Sequence, residues 1–171
     1  MGVAEQGAAA TEGRWLTVVR TLCFVTNGQD VLLMKRAPHK RIFPNRYNGV
    51  GGHVERHEDP LTSARREIEE ETGLQVHSLQ LRAVYNVDTN ESTGITLFIF
   101  TAKSTTRAVR ANEEGTLHWI PRQSILQFDL VEDLPFILPR ILEMEPADPP
   151  LFVHVGYDRD DCIQMRFASV D

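Results

Sequence analysis

A single α/β (α+β) domain, in which strands are accompanied by two helices of unlike character, is the fold class this sequence predicts. Three observations predict it. Runs of β-branched and aromatic residues recur along most of the chain. One segment, 60–72, carries complete helix punctuation. Helices do not alternate regularly with strands, which argues against a doubly wound fold. The length of 171 residues suits one domain, and 42% hydrophobic content suffices for a core.

The elements follow in order. Residues 1–13, small and polar, are expected to form a loosely ordered tail ahead of a domain over 14–171. This tail lacks the basic and apolar regions of a secretory signal, so a cytoplasmic protein is expected. "WLTVVRTLCFVT" (15–26) reads as a strand, "NGQD" as a turn, and "VLLMKR" (31–36) as its hairpin partner. "APHKRIFPNR" (37–46) has two prolines and four basic residues and reads as a loop. Three glycines in "YNGVGG" (47–52) imply a close backbone approach.

Asp59 is placed to cap a helix over 60–72, Pro60 suits its first position, and Gly73 suits its end. Leu61, Ala64 and Ile68 make an apolar stripe that can dock on a sheet. Two strands, 79–87 and 95–103, and a short one at 116–120 follow. Residues 133–145 look helical, with Pro139 expected to kink or interrupt them. "LFVHVGY" and "CIQMRF" close the chain as two short strands.

A net charge of -6 argues against general affinity for nucleic acid or an anionic membrane. It leaves room for a nucleotide whose charge a metal offsets. No run of apolar residues is long enough to span a membrane. Cys23 and Cys162 fit no metal or redox spacing and read as free thiols in a reducing compartment. "GVGG" matches neither a dinucleotide-binding fingerprint nor a P-loop.

The segment "REIEEETG" (66–73) poses a physical problem. Glu67, Glu70 and Glu71 stand at i, i+3, i+4, so their carboxylates converge on one helix face, while Glu69 points to solvent. Like charges at that spacing cost about 0.2–0.5 kcal/mol per pair. Carboxylates in a last turn also oppose the helix dipole. A solvated acidic face paired with Arg65 and Arg66 is one resolution; a divalent cation bound by hard oxygen ligands is the other.

The run "GHVERHEDPLTSARREIEEETGL" (52–74) resembles the Nudix box, G-x5-E-x7-R-E-U-x-E-E-x-G-U, with U aliphatic. Gly52, Glu58, Arg66, Glu67, Ile68, Glu70, Glu71, Gly73 and Leu74 fill its specified positions. The resemblance implies a Nudix-type α/β/α sandwich with a mixed β-sheet and a C-terminal β-hairpin. It implies hydrolysis of a nucleoside diphosphate linked to another group, with Mg²⁺ or Mn²⁺. Metal ligands would be Glu67, Glu70, Glu71 and the carbonyl of Gly51. Arg66 would orient a glutamate and Glu58 would shape the loop. The base that takes a proton from water would be a box glutamate or one on a later loop. Glu113 and Glu114 are the loop candidates, Glu114 preferred; a solvated turn is the other reading of both.

Beyond the box, "YNGVGGHVE" is similar to the corresponding segment of MutT-like oxidised-purine nucleoside triphosphatases. That similarity implies base contacts from Asn48, Glu132 and Asp133, with Thr21 and Tyr85 as pocket walls. Asn48 also suits a turn, and Glu132 or Asp133 a helix cap. The product expected is a nucleoside monophosphate with pyrophosphate. Hydrolysis of a dinucleoside polyphosphate or nucleotide sugar, or non-catalytic nucleotide sensing, are the alternatives. ADP-ribose hydrolases of the family tend to carry a proline soon after the box; here none follows Leu74 until Pro121. A small-molecule nucleotide is the expected partner, and the protein is expected to be a monomer or homodimer.

Overall fold

Eight strands build one sheet around a parallel pair, in a computed structural model that describes residues 2–110 and 112–169. They are β1 (Leu16–Asn27), β2 (Asp30–Arg36), β3 (Tyr47–Asn48), β4 (His77–Val87), β5 (Thr93–Lys103), β6 (Gly115–Pro121), β7 (Leu151–Tyr157) and β8 (Ile163–Phe167). The sheet order is β3-β2-β1-β5-β4-β7-β8, with β6 added to β2. β1 runs parallel to β5 and β4 parallel to β7; the other pairs are antiparallel. The sheet is therefore mixed, and β7 and β8 form the C-terminal hairpin. A short 3-10 turn covers Val3–Gln6 within the predicted tail.

The expected β1–β2 hairpin exists only at its tip. β1 pairs with β2 at Thr26↔Val31 and Asn27↔Asp30 alone, and then the strands part. The segment just before the box fills the gap. Thr21 N donates to Gly52 O (2.8 Å), Cys23 N to Val50 O (2.7 Å), and Val54 N to Val19 O (3.1 Å). β6 occupies β2 along its whole length, Asp30↔Pro121 through Arg36↔Gly115.

Helix α1 (Pro60–Thr72) has the predicted bounds, and its punctuation acts as expected. Asp59 Oδ1 accepts from Leu61 N (2.8 Å) and Thr62 N (3.0 Å). Gly73 ends the helix at φ 76°, donating its N–H to Glu69 O. The buried face differs from the predicted stripe. Leu61 is 46% exposed, and the inward residues are Ser63, Ala64, Ile68 and Thr72. Leu61, in the first turn, stays outside the packed face, whereas Thr72 satisfies its own hydroxyl by donating to Ile68 O.

Helix α2 (Leu134–Glu143) runs through Pro139 rather than breaking there. The bond that Pro139 cannot make would end on Pro135, in the first turn. Burial of Leu134, Ile137, Leu138 and Ile141 holds the helix together. A 3-10 segment, Arg122–Gln127, was not foreseen; it tucks Ile125 into the core.

The two helices cover opposite faces of the sheet. Phe24, Leu33, Tyr85 and Val153 pack with α2, while Cys23, Leu32, Met34 and Val50 pack with α1. Strand alternation assigns each side chain to its layer. The arrangement is an α/β/α sandwich.

Candidate active site

The site is assembled where α1 lies beside the 50–54 segment. The elements are locked together by one guanidinium. Arg66 grips Glu58 as a fork, Nη2 to Oε1 at 2.6 Å and Nε to Oε2 at 3.1 Å. Its Nη1 also donates to Glu67 Oε1 (2.8 Å) and Glu70 Oε2 (3.0 Å), and its Nη2 to the carbonyl of His53 (3.2 Å). Arg66 thus joins the loop, the helix and two of the three converging glutamates. Its guanidinium is held firmly protonated, chiefly by its bonds to Glu58. Reciprocally, Arg66, helped by the Glu55 N–H, holds the Glu58 carboxyl down to about 2.

Glu71 is the third member and lies deeper. Its Oε2 accepts from Gly51 N at 3.0 Å. Burial pushes its carboxyl up to about 7, and the charges of Glu67 and Glu114 push the same way. The Gly51 N–H and the positive charge of Arg36 oppose this rise. The cluster is the like-charge concentration that the helix wheel anticipated. Glu69 is exposed and outside it.

Two glycines sit at close approach. A Cβ on Gly51, at φ 152°, would stand 2.2 Å from Thr21 O. A Cβ on Gly52 would stand 2.4 Å from Glu67 Oε1. Among the described residues, nothing donates to the Gly51 carbonyl.

Glu114 reaches the same neighbourhood from the loop before β6. Its carboxylate is paired with Lys40 Nζ at 2.5 Å, and its charge is felt by Glu71. Asn112 Nδ2 donates to the Glu71 backbone carbonyl at 2.5 Å, and Asn112 Oδ1 accepts from Glu114 N at 2.9 Å. Arg36, Lys40 and Asn112 are therefore site residues that the sequence reading did not single out. Only the basic content of 37–46 hinted at one of them, Lys40.

The predicted base pocket is not assembled as one set. Asp133 does lie beside Tyr85, on the α2 side. Burial foremost, and the neighbouring Glu132, push its carboxyl up to about 6, against its own N–H and the facing Tyr85 hydroxyl. Asp133 does not cap α2: its backbone is helical (φ -80°, ψ -25°) and its side chain makes no capping bond. Glu132 turns outward to Arg46, 3.3 Å away. Tyr157, on β7, also feels the charges of Glu132 and Asp133, and it was missed from the sequence.

Thr21 and Asn48 belong to the other layer. Thr21 shares the face of Cys23 and Val25, which pack toward α1. Asn48 pairs with Met34, also in that layer, and its Oδ1 accepts from Gly49 N at 2.8 Å. The turn that Asn48 also suited is thus formed. The Thr21 hydroxyl is buried with no partner among the described residues, whereas the Tyr85 hydroxyl, buried on the opposite side of the sheet, faces Asp133.

With this geometry in view, comparisons with known proteins define the class. The NUDIX domain family model matches residues 16–141, and the chain belongs to the NUDIX family. Its box is complete, with every specified position filled. It is 37% identical over 68 residues to an m7GpppN-mRNA hydrolase, NUDT17, of Xenopus laevis. That stretch is 40% of this chain and covers 23% of the relative's length.

Among solved structures, a MutT protein from Bacillus halodurans superposes with a TM-score of 0.68 at 23% identity. The match covers 88% of this chain and 97% of that one. A NUDIX hydrolase from Nitrosomonas europaea gives 0.67 at 24% identity, covering 82% and 78%. The NUDIX domain of Shewanella oneidensis NrtR, solved with ADP ribose, gives 0.61 at 20%, covering 82% and 97%. At these identities the structures establish the fold.

Proposed function

We propose that this protein hydrolyses a nucleoside diphosphate-linked substrate with Mg²⁺ or Mn²⁺, acting on a MutT-type nucleoside triphosphate to give the monophosphate and pyrophosphate. The observation that carries this reading is the convergence of Glu67, Glu70 and Glu71 beside Gly51, with Arg66 holding the first two.

The donor set suits a hard divalent cation: three carboxylates and an unbonded carbonyl. As placed, no three Asp, Glu, His or Cys side chains among the described residues are close enough to hold a metal. Arg66 holds one oxygen each of Glu67 and Glu70. The remaining oxygen of each is left without a hydrogen-bond partner among the described residues.

A bound divalent cation would neutralise the diphosphate and acidify water. The chain's own groups do the rest. Arg66 orients Glu67 and Glu70, and Gly51 N–H orients Glu71. Glu114, at the rim, is positioned to take a proton from the attacking water once its carboxylate is free. The half-buried Asp133 and the buried Tyr85 beside it would offer polar contacts for a base edge.

A second reading, cleavage of a capped or dinucleoside polyphosphate, is favoured by the partial identity to the m7GpppN-mRNA hydrolase. Among the described residues, no helix is long and apolar enough to cross a membrane. The two free thiols fit a cytoplasmic setting.

The test is a panel assayed with Mg²⁺: nucleoside triphosphates, their oxidised forms, dinucleoside polyphosphates, capped dinucleotides and nucleotide sugars. Release of pyrophosphate with a monophosphate supports the first reading. A dinucleoside or capped substrate outpacing every triphosphate replaces it with the second.

A further inference from the structure

Beside the glutamate cluster lies a cleft that the mechanism above does not use. It has a volume of about 570 Å³. Lys35, Arg36 and His39 line one wall; Asn112, Glu113 and Thr116 line the other. Three of these residues are basic or can become so, against one acid, in a protein whose net charge is -6.

The cleft opens directly onto the site. Asn112 bonds the Glu71 backbone, Ala37 N donates to Glu114 O (2.9 Å), and the Arg36 charge is felt at the Glu71 carboxyl. Among the described residues, the Arg36 guanidinium commits only its Nε, to Ile42 O at 2.8 Å. Glu114, between the lining residues Glu113 and Gly115, pairs with Lys40, next in sequence to the lining His39; their side chains are 38% and 23% exposed.

We propose that this cleft binds the polyphosphate end of the substrate, the part that leaves, and that Lys40 is a positioning residue that trades Glu114 for a phosphate oxygen when the cleft fills. The inference deepens the hydrolase reading and rests on it. A half-exposed lysine–carboxylate pair is worth little by itself, whereas a polyphosphate offers several negative charges to the same ammonium. The exchange places the cation on the substrate and frees the Glu114 carboxylate next to Glu71. An ordinary surface ion pair would bind nothing in exchange.

The test titrates the full chain with inorganic tripolyphosphate in EDTA, by calorimetry, for wild type, Lys40→Met and Lys40→Arg. Orthophosphate serves as the control anion. Wild type is expected to bind tripolyphosphate in preference to orthophosphate. Lys40→Met should bind about tenfold more weakly, the loss of one charge-assisted bond, and Lys40→Arg should recover most of it. In turnover, Lys40→Met should raise KM without lowering kcat. Equal tripolyphosphate affinity in wild type and Lys40→Met at unchanged Tm overturns the proposal, as does the absence of binding by wild type. Lys40-dependent binding without hydrolysis of any nucleotide would keep the cleft and remove the hydrolase reading. Hydrolysis with binding indifferent to Lys40 would do the reverse.

Discussion

Arg66 and Glu58 face each other fork to fork, with contacts of 2.6 and 3.1 Å, across the turn that leads into α1. A lysine cannot reproduce this planar geometry and also reach Glu67 and Glu70. Arg66→Lys is therefore expected to lose about 10–100-fold in activity, the range seen when a group that orients metal ligands is removed. Steady-state kinetics with Mg²⁺ titrated at each substrate concentration check it; unchanged Mg²⁺ dependence and rate would refute the orienting role.

The same pair predicts acid behaviour. The Glu58 carboxyl is held down to about 2, so the folded state binds fewer protons there than the unfolded chain. Its stabilisation is present above the ordinary carboxylate range and is lost as pH falls toward 2. Glu58→Gln should flatten the stability–pH curve in that interval, read as denaturant midpoints between pH 5 and 2.5.

Glu70→Gln and Glu71→Gln should each reduce Mg²⁺-dependent turnover by about 100-fold or more, on the scale of losing a preorganised electrostatic group. Glu69→Gln, on the exposed side of the same turn, should leave it nearly unchanged. Wild-type rates in both of the first two variants would remove the metal-site reading.

Adjacent glycines should behave differently. At Gly51 a side chain meets the backbone oxygen of Thr21, so Gly51→Ala should cost about 1–3 kcal/mol and shift the loop. At Gly52 the obstacle is the far end of Glu67, which can swing away. Gly52→Ala should therefore fold well, with a Tm close to wild type, but bind Mn²⁺ more weakly in a calorimetric titration. A fall in Tm for Gly52→Ala as large as for Gly51→Ala would contradict this.

Asp133 supplies a second pH signature of opposite sign. Its carboxyl is pushed up to about 6, so the native state binds the extra proton. Stability should decline as pH rises from about 4 to 6. Asp133→Asn should remove that decline, gaining on wild type above pH 6 and not below pH 4. Parallel denaturation curves at pH 4, 6 and 8 measure it.

Local chemistry made much of this legible from sequence. Asp59, Pro60 and Gly73 punctuate α1 by rules that need no tertiary contacts, and α1 has the predicted bounds. The wheel placed Glu67, Glu70 and Glu71 together and Glu69 apart for the same reason. What escaped was set by long-range pairing. Leu61 fits the apolar stripe by spacing, yet only the sheet edge decides whether it is covered. The Lys40–Glu114 pair joins residues 74 apart in sequence, which no local pattern announces. Whether Thr21 and Tyr85 can share a pocket depends on which face each strand presents.

The early parting of β1 from β2 has a mechanical consequence. The backbone of residues 50–54 takes the vacated edge of β1, itself locked along its length to β5. The loop that carries Gly51 is thus a graft onto the central scaffold rather than a flap. Amide protons of Thr21, Cys23 and Val54 should exchange with solvent as slowly as those of the central strands, because freeing them requires tearing the grafted edge from the sheet. Where many binding loops trade rigidity for access, this protein anchors the segment beside its glutamate cluster on the central strand β1.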